Sequence, residues 1–390
     1  MTPEFDAVVV GCGPAGNTAA YHLAAGGARV LILERETMPR DKVCGGGLSA
    51  KTLHEVPFPL APVLEREVST ALIACGGAEP VPCTLDGLGG MARRSALDAY
   101  MAEQAVSAGA ELRQGRAFVR YERAGALVRV TTDGGPITTR VVVGADGAAS
   151  RVRAQLVPDA DVRAVPAIEA LLWPAAGVLD LAGSRCVFDL GVVPGGYGWI
   201  FPKADHLNVG LYRFRKRRDN LDLRGALDAF IARYRILRGH ERLTVKARMI
   251  PVRPVARSLA RDGVVLVGDA AGLADALFGE GIYAAVRSGR LAALAILDHL
   301  GGGAPLAAYD RMLRPMRADL AAGRVAARLL YLAPRAGFRL AVRNARVTRL
   351  FAGMIAGTVS ARRALGTLLA LAPYWLLAPR TPAVESPLVG

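Results

Sequence analysis

The chain has 390 residues, of which 52% are hydrophobic, which is enough to bury a large core and to form about two domains. Pro373 interrupts the longest apolar segment, residues 365–378, so a transmembrane helix is not expected. Because the five cysteines show no metal-ligand spacing and an acidic N-terminus leads directly into a strand, we expect no metal site, no signal peptide and a cytoplasmic location.

The positive charge is concentrated near the C-terminus. The formal net charge is +15, and residues 320–384 contain ten arginines but neither aspartate nor glutamate. Such a segment favours an anionic partner. Four of these arginines are spaced to form one stripe on a single helix: Arg335, Arg339, Arg343 and Arg346.

We expect this stripe, together with the apolar segment 365–377, to hold the protein peripherally on an anionic membrane surface, at the inner face of the cell membrane. The alternative is an arginine-rich helical cap that packs on the rest of the protein.

The N-terminal segment predicts a βαβ unit. Residues 5–10 form an apolar run that indicates a buried strand, residues 14–25 a helix, and residues 28–35 a second strand. A chain that begins in this way is expected to have an α/β fold.

The later elements predict a second sheet and a helical end. A helix over residues 94–108 is followed by short strands up to residue 143, and alternating segments over 162–249 indicate a mostly antiparallel sheet. A strand and a helix follow from Gly263, and the chain after residue 303 is helical. The predicted fold is therefore α/β with an α+β insert, divided into a Rossmann-like domain of residues 1–65, 88–157 and 250–303, an inserted substrate domain of 66–87 and 158–249, and a basic helical segment of 304–390.

A glycine motif marks the turn after the first strand. In "GCGPAG", Gly11 allows the tight turn, Gly13 lets the backbone approach a pyrophosphate, and Gly16 lets the helix pack close to the strand. Glu34 ends the second strand, where an acid commonly binds a ribose hydroxyl. Strand, motif, helix and acid together predict dinucleotide binding, and the alternative is a plain tight turn.

Two aspartates follow later strands. Asp146 lies in "VVVGADGAASRVR" and Asp269 in "VLVGDAAG", where each, taken alone, is equally compatible with a helix N-cap. The three motifs in this order resemble the flavoprotein monooxygenase and reductase superfamily with a p-hydroxybenzoate-hydroxylase-like fold. The resemblance implies FAD, with Asp269 on its ribityl chain and Arg94 of "RSALD" on the flavin. The alternative for Arg94 is a surface charge at a helix start.

Three further segments resemble the geranylgeranyl reductase family. They are "MPRDKVCGGGLS" at residues 38–49, "GGYGWIFPKADHLNVGL" at 195–211 and "GEGIYAAVRSG" at 279–289. The resemblance covers roughly residues 6–324. It implies an FAD-dependent reductase that saturates C=C bonds of a prenyl chain by hydride transfer from reduced flavin N5 and subsequent protonation, with NADPH or reduced ferredoxin as the electron donor.

The residue types agree with such chemistry. The glycines after Cys44 carry no side chains that would block a flat ring. Tyr197, Trp199 and Phe201 alternate along a predicted strand, so they would form one aromatic wall for an isoprenoid; the alternative is an ordinary core strand. Cys44 is a proton donor, a packing residue or a bystander, and a helix that begins near Gly281 would face the flavin N1/O2 edge.

The predicted site residues fall into three groups. The catalytic group is Cys44, Gly45 and Gly46, and the substrate-binding group is Tyr197, Trp199, Phe201 and Pro202. The FAD-binding group is Gly11, Gly13, Pro14, Ala15, Gly16, Glu34, Arg35, Lys42, Cys44, Gly45, Arg94, Asp146, Gly147, Gly268, Asp269, Gly279, Gly281 and Ile282.

Two other functional classes stay open. A flavin-dependent monooxygenase or halogenase that acts on an aromatic substrate would use the same fold, although the halogenase pattern W-x-W-x-I-P is absent. A non-enzymatic flavin- or lipid-binding protein at the membrane is the other. No nucleic-acid partner is expected, because the motifs indicate an oxidoreductase.

Overall fold

The computed structural model describes residues 2–76, 79–214, 220–239 and 241–370. Within these ranges the strands form two sheets, and α-helices pack around them. The strands are β1 Phe5–Val10, β2 Val30–Glu34, β3 Gly47–Leu48, β4 Arg66–Cys75, β5 Val81–Met91, β6 Glu111–Gln114, β7 Phe118–Ala124, β8 Leu127–Thr132, β9 Gly135–Gly144, β10 Ala164–Trp173, β11 Arg185–Leu190, β12 Gly196–Pro202, β13 Leu207–Arg213, β14 Glu241–Pro251, β15 Ala260–Arg261 and β16 Val264–Leu266. The helices are α1 Pro14–Ala25, α2 Ala50–Glu55, α3 Arg94–Ser107, α4 Arg151–Leu156, α5 Val178–Ala182, α6 Leu223–Arg233, α7 Ile282–Leu300, α8 Ala308–Met312, α9 Arg314–Leu332, α10 Pro334–Arg343, α11 Ala345–Ala356 and α12 Ala361–Ala370.

The first sheet brings the three sequence motifs together. Its order is β15-β16-β9-β1-β2-β6, with β8 added beside β9 and β7 beside β8. Strand β9 pairs in parallel with both β1 and β16, so that Val10, Gly144 and Leu266 lie side by side. Each motif follows the carboxyl end of one of these strands, and the motifs therefore meet at one edge of the sheet.

The second sheet has one face toward α6 and another toward the C-terminal helices. Its order is β14-β10-β13-β12-β11-β4-β5-β3, and its pairs are antiparallel except β11 with β4. On one face Leu211 packs near Phe230 of α6. On the other face Trp199 and Tyr212 belong to a cluster that includes Tyr331 of α9. The predicted α/β fold with an additional, mostly antiparallel sheet and a helical end is confirmed.

The predicted arginine stripe is wrong for Arg346. Helix α10 ends one residue before Asn344, whose side chain accepts a hydrogen bond from the N–H of Arg346 at 2.9 Å and caps α11. Arg335 and Arg339 lie one turn apart on α10 and are exposed, but Arg346 belongs to another helix. The predicted apolar segment 365–377 lies outside the described residues beyond position 370. None of the helices described is long and apolar enough to cross a membrane.

Candidate active site

One cavity of about 830 Å³ is lined from both sheets. The first sheet contributes the turn after β1 and the segment 145–149, and the loop of residues 40–48 crosses from one sheet to the other. The segment 278–282, the aromatic face of the second sheet and Ile355 of α11 complete the lining. All predicted site residues line this cavity except Gly16, Gly268 and Pro202.

Two of these three exceptions act through packing. A Cβ on Gly16 would overlap with the carbonyl oxygen of Gly11, so glycine is needed for α1 to begin this close to β1. A Cβ on Gly268 would lie 3.0 Å from the Cβ of Ala15. Pro202 ends β12 at the border of the aromatic wall.

Three cationic side chains surround the backbone of Gly13. A Cβ built on this glycine would lie 3.9 Å from Arg40 Nη2, 4.0 Å from Arg94 Nη2 and 4.0 Å from Lys42 Nζ. They gather at the N-terminus of α1, where free N–H groups and the helix dipole already favour an anion. The turn therefore fits the diphosphate of FAD. Arg40 was missed in the sequence, although it lies two residues before Lys42 in the quoted loop motif.

A buried carboxylate holds two of these cations. Asp98 accepts hydrogen bonds from Arg94 Nε at 2.9 Å and Nη2 at 2.7 Å, and from Arg40 Nη1 at 3.1 Å. Burial alone would lower the pKa of Arg94, but the neighbouring Asp98 and Cys44 raise it. Arg94 is buried, so its interpretation as a surface charge is wrong.

The charged form of Lys42 is disfavoured by its surroundings. Burial and the charge of Arg94 lower the pKa of Lys42, whereas Asp269 raises it. A diphosphate beside Lys42 would favour the charged ammonium form.

The carboxylates of the three predicted acids differ in the hydrogen bonds that they accept from the protein. Glu34 accepts hydrogen bonds from the N–H of Cys12 at 3.0 Å and from Arg40 Nε at 3.3 Å. Asp146 accepts from the N–H groups of Arg151 and Val152 at the start of α4, but the N-cap residue of this helix is Ser150.

Asp269 is the acid left available to a ligand. Among the described residues no hydrogen bond reaches its carboxylate, which lines the cavity 3.3 Å from the position of a Cβ on Gly281. The predicted helix directly after it is a short 3-10 turn, Gly268–Ala271, and the long helix α7 begins only at Ile282. A carboxylate facing the cavity fits the hydroxyl-rich ribityl chain of FAD.

The triple-glycine loop makes room for aromatic rings. A Cβ on Gly45 would lie 3.0 Å from Phe201 and 3.3 Å from Trp199, and one on Gly47 would lie 3.3 Å from Phe201. Gly46 has φ +64°, and a Cβ there would overlap with the carbonyl oxygen of Ala92. The expectation that all three glycines merely leave the flavin face open is therefore incomplete, because their small size also lets the loop pack on the wall.

Lys203 binds this loop through hydrogen bonds to backbone carbonyl groups. Its ammonium donates hydrogen bonds to the carbonyl oxygens of Gly46 at 3.2 Å and Ala92 at 3.1 Å. Lys203 is almost completely buried, and this burial lowers its pKa to about 8.

Cys44 lies where the loop meets both ends of the cavity. Its Sγ accepts a hydrogen bond from the N–H of Gly46 at 3.4 Å, and it lies close enough to Arg94 to raise the pKa of that guanidinium. Its own N–H donates to Glu169 Oε1 at 3.2 Å. The thiol is thus placed between the cationic turn and the aromatic wall.

The predicted aromatic wall is present. Tyr197, Trp199 and Phe201 all line the cavity, as their alternation along β12 requires. The hydroxyl of Tyr197 donates to the carbonyl oxygen of Phe278 at 2.5 Å, and burial raises the pKa of Tyr197. A side chain on Gly210 would overlap with the Trp199 indole, so this glycine makes space for the wall.

Glu169 and Asn208 are functional candidates that the sequence analysis missed. Glu169 Oε2 accepts a hydrogen bond from Asn208 Nδ2 at 3.1 Å, and Asn208 Oδ1 accepts one from Trp199 Nε1 at 2.7 Å. Burial raises the pKa of Glu169, although the hydrogen bonds from Asn208 and from the Cys44 N–H oppose this shift. The aromatic wall therefore contains one carboxyl group beside the thiol.

Glu280, next to the start of α7, has a structural role. Its carboxylate accepts hydrogen bonds from Ser49 Oγ at 2.6 Å and Thr52 Oγ1 at 3.2 Å, and it pairs with Lys51 at 2.9 Å. These contacts tie the N-terminus of α7 to α2, so that Gly281 and Ile282 face the cavity.

Sequence comparisons find reductases among the relatives. The family model "Lycopene cyclase protein" matches residues 6–178. A geranylgeranyl diphosphate reductase of Rhodobacter capsulatus is 32% identical over 311 residues, which cover 77% of each chain. Digeranylgeranylglycerophospholipid reductase 2 of Methanopyrus kandleri is 35% identical over 317 residues, which cover 74% of this chain and 76% of the relative.

Solved structures share the fold. A geranylgeranyl bacteriochlorophyll reductase-like protein from Thermoplasma acidophilum superimposes with a TM-score of 0.76 at 22% identity, over 94% of this chain and 96% of the other. The halogenase PltM, solved in complex with FAD, gives a TM-score of 0.70 at 15% identity, over 94% of this chain and 86% of the other. At such identities the likeness concerns architecture alone.

Proposed function

Because the chain belongs to the geranylgeranyl reductase family of FAD-dependent oxidoreductases, we propose that it saturates C=C bonds in a prenyl chain of the geranylgeranyl type. The observation that carries this proposal is the loop of residues 42–47. Lys42 lies at the cationic turn around Gly13, and Gly45 packs on Trp199 and Phe201 of the wall. One cavity therefore joins a site for a dinucleotide to a site for an apolar chain.

The chain's own residues hold the two partners. Arg40, Lys42 and Arg94 bind the diphosphate of FAD, and Asp269 binds its ribityl hydroxyls. Bound and reduced FAD supplies the hydride that the saturation of a C=C bond requires. Tyr197 and Trp199 hold the prenyl chain and exclude water from it.

Cys44 supplies the proton in this proposal. Its Sγ–H bond breaks as the new C–H bond forms at the carbon next to the one that receives hydride. Arg94, which lies beside the thiol, stabilises the thiolate that remains. The N–H of Gly46 donates to the same sulfur and helps to orient it.

Anaerobic reduction tests the proposal. Dithionite-reduced protein is incubated without oxygen with geranylgeranyl diphosphate, a geranylgeranylated glycerophospholipid and a prenylated quinone, and products are analysed by mass spectrometry. We expect a gain of two hydrogens for each bond reduced. A product that forms only when oxygen is admitted would indicate the monooxygenase or halogenase alternative, and no product with any compound would favour a binding protein.

The electrons come from NADPH or from a reduced ferredoxin. Stopped-flow mixing of the oxidised protein with each donor measures which one bleaches the flavin absorbance at a rate equal to or above turnover.

We also propose that the C-terminal helices bind the surface of a membrane, where prenyl lipids reside. On α9, Val325, Leu329 and Leu332 are spaced by four and three residues and are exposed, the last two by 55% and 64%. Leu369 of the adjacent α12 is 65% exposed. An apolar stripe within an arginine-rich, acid-free segment fits an anionic lipid surface, to which each arginine contributes about 1 kcal/mol.

This surface also has a packed side, because Tyr331 of α9 and Met354 of α11 are buried against the second sheet. The helical-cap alternative therefore describes one side of the segment, and the membrane proposal concerns the other. We place the protein in the cytoplasm, on the inner face of the cell membrane.

Vesicle flotation tests the membrane contact. Leu329→Ser combined with Leu332→Ser should lose binding to vesicles that contain phosphatidylglycerol, and high salt should weaken wild-type binding. Val119→Ser, which changes an exposed apolar residue on β7, is the matched control. Equal binding to neutral and anionic vesicles, or full binding by the double variant, would contradict the proposal.

A further inference from the structure

Glu169 is a carboxyl group in an apolar wall. It lies on β10 on the face that carries Val165 and Ala167, and it is 7% exposed. Burial of a carboxyl group is costly unless hydrogen bonds compensate for the loss of water. An apolar residue would pack better against a prenyl chain, so the presence of Glu169 calls for a chemical explanation.

Both hydrogen-bond partners of Glu169 are donors. The N–H of Cys44 donates to Oε1 at 3.2 Å, and Asn208 Nδ2 donates to Oε2 at 3.1 Å. Trp199 Nε1 donates to Asn208 Oδ1 and thereby fixes which side of the amide faces Glu169. When Glu169 is protonated, its O–H must therefore donate to an acceptor other than these two groups. Cys44, whose N–H donates to Oε1, also carries a sulfur that can accept a hydrogen bond.

Lys246, another neighbour of Glu169, is partly exposed to solvent. Glu169 is paired across the strands with Lys246 of β14, and paired residues point to the same face of a sheet. The Lys246 side chain is 43% exposed and binds Asp41 Oδ2 at 2.8 Å. Glu169 thus lies between the thiol and an edge of the sheet that water reaches.

We infer that Glu169 is the proton reservoir of the site, an inference that rests on the proposed reductase function. After the proton of Cys44 has formed the new C–H bond, the O–H bond of Glu169 breaks and its proton re-forms the thiol. The electron pair of that bond stays on the Glu169 carboxylate, which then takes a proton from water at the Lys246 edge. No electron is transferred in this step, and one proton is consumed for each bond that is reduced.

The charges around Glu169 suit this cycle. The charged groups around Glu169 are Lys203 after β12 and Lys246 of β14, and Cys44 of the loop contacts it through the backbone N–H. Burial raises the pKa of Glu169, whereas the two lysines and the hydrogen bonds lower it. The balance raises the pKa of Glu169 above its ordinary value, which is the direction that the reservoir requires.

Comparison of the first turnover with later turnovers tests the inference. In Glu169→Gln, the first turnover does not require the thiol of Cys44 to be re-formed, so a single turnover with reduced protein should proceed at the wild-type rate. Later turnovers with excess dithionite should slow by about 10²-fold, the lower end of the range for a positioned acid. The wild-type steady-state rate should fall as the pH rises through the Glu169 pKa, and the variant should lack this fall.

The control is Glu67→Gln, which removes an exposed carboxylate from β4 of the same sheet and should change neither rate. Glu169→Asp keeps the carboxyl group and should recover part of the later-turnover rate, which also covers a failure of the glutamine variant to fold. A variant whose first turnover falls as much as its later ones, or whose rates and pH profile match wild type, would overturn the inference. If wild-type protein reduces no prenyl compound, the proposed function has failed instead.

Discussion

Near Gly13 the cavity is lined by charged side chains that come from two separate segments, the loop of residues 40–48 and α3, whereas near Trp199 it is lined by aromatic side chains that alternate along one strand. At the charged end, two of the cations are already held in position before any ligand binds, because Asp98 forms salt bridges with Arg40 and Arg94. At the aromatic end, the carboxyl group of Glu169 lies beside the loop. The charged end is thus organised for a fixed, highly polar partner, and the aromatic end for a partner recognised mainly by shape and apolarity.

Removal of the Cys44 thiol should have the largest effect, because it should slow alkene reduction without loss of FAD binding. Cys44→Ala should retain FAD but slow alkene reduction by about 10²–10⁴-fold, since a general acid is lost, and Cys44→Ser should lie between. Single-turnover kinetics with reduced protein measure this effect. Unchanged turnover under conditions where chemistry is rate-limiting would leave Cys44 with a packing role only.

Lys203 lies under the loop that joins the ends, and it should make stability depend on pH. Its pKa of about 8 in the folded protein is below the ordinary value of 10.5, so between these values the unfolded chain holds more protons. The free energy of unfolding should therefore rise with pH across this window, by at most about 3 kcal/mol from this group. Urea unfolding at pH 8 and pH 10 should show a larger rise for wild type than for Lys203→Met. Equal changes in both proteins would argue against a lowered pKa of Lys203 in the folded protein.

The acids of the charged end should differ in what they stabilise. Asp269→Ala should weaken FAD binding by about 1.5–3 kcal/mol, because a charged acceptor facing the cavity is removed. Asp146→Ala should instead lower the melting temperature, since its carboxylate accepts hydrogen bonds from the first two N–H groups of α4. Titration of the apoproteins with FAD distinguishes the two, and full FAD affinity in Asp269→Ala would show that this residue does not contact the ribityl chain.

The smallest effect is expected at the aromatic end. Trp199→Phe keeps an aromatic ring but loses the hydrogen bond to Asn208, so the free energy of unfolding should fall by about 1 kcal/mol while FAD affinity stays unchanged. Urea unfolding and FAD titration of the same variant measure both quantities. A loss of FAD affinity as large as that of Asp269→Ala would contradict the claim that FAD affinity depends on the charged end and not on the aromatic end.

The sequence predicted the residues whose position follows from a local pattern. Gly13 and Asp269 follow the ends of buried strands, and adjacent parallel strands bring such ends together. Tyr197 and Trp199 share a face because a strand alternates. These rules operate within a few residues, so they need no knowledge of the tertiary fold.

Glu169 could not be predicted in the same way. It meets Cys44 across a sequence separation of 125 residues, and in "VPAIEALLW" an acid within an alternating strand indicates a solvent-facing position. Both faces of the second sheet are covered, which makes that position buried. Arg40 and Asp98 lie within or beside motifs that were noted, but their pairing depends on how the loop of residues 40–48 folds back onto α3.

The central claim, that a prenyl chain at the aromatic end lies against the flavin, is tested most directly by the flavin absorbance spectrum. Oxidised, FAD-loaded protein is titrated with geranylgeranyl diphosphate, and binding is measured in parallel by equilibrium dialysis of the radiolabelled compound. We expect the visible flavin bands to shift with the same dissociation constant as that found by dialysis. Saturable binding of the prenyl compound that leaves the flavin spectrum unchanged would contradict the account.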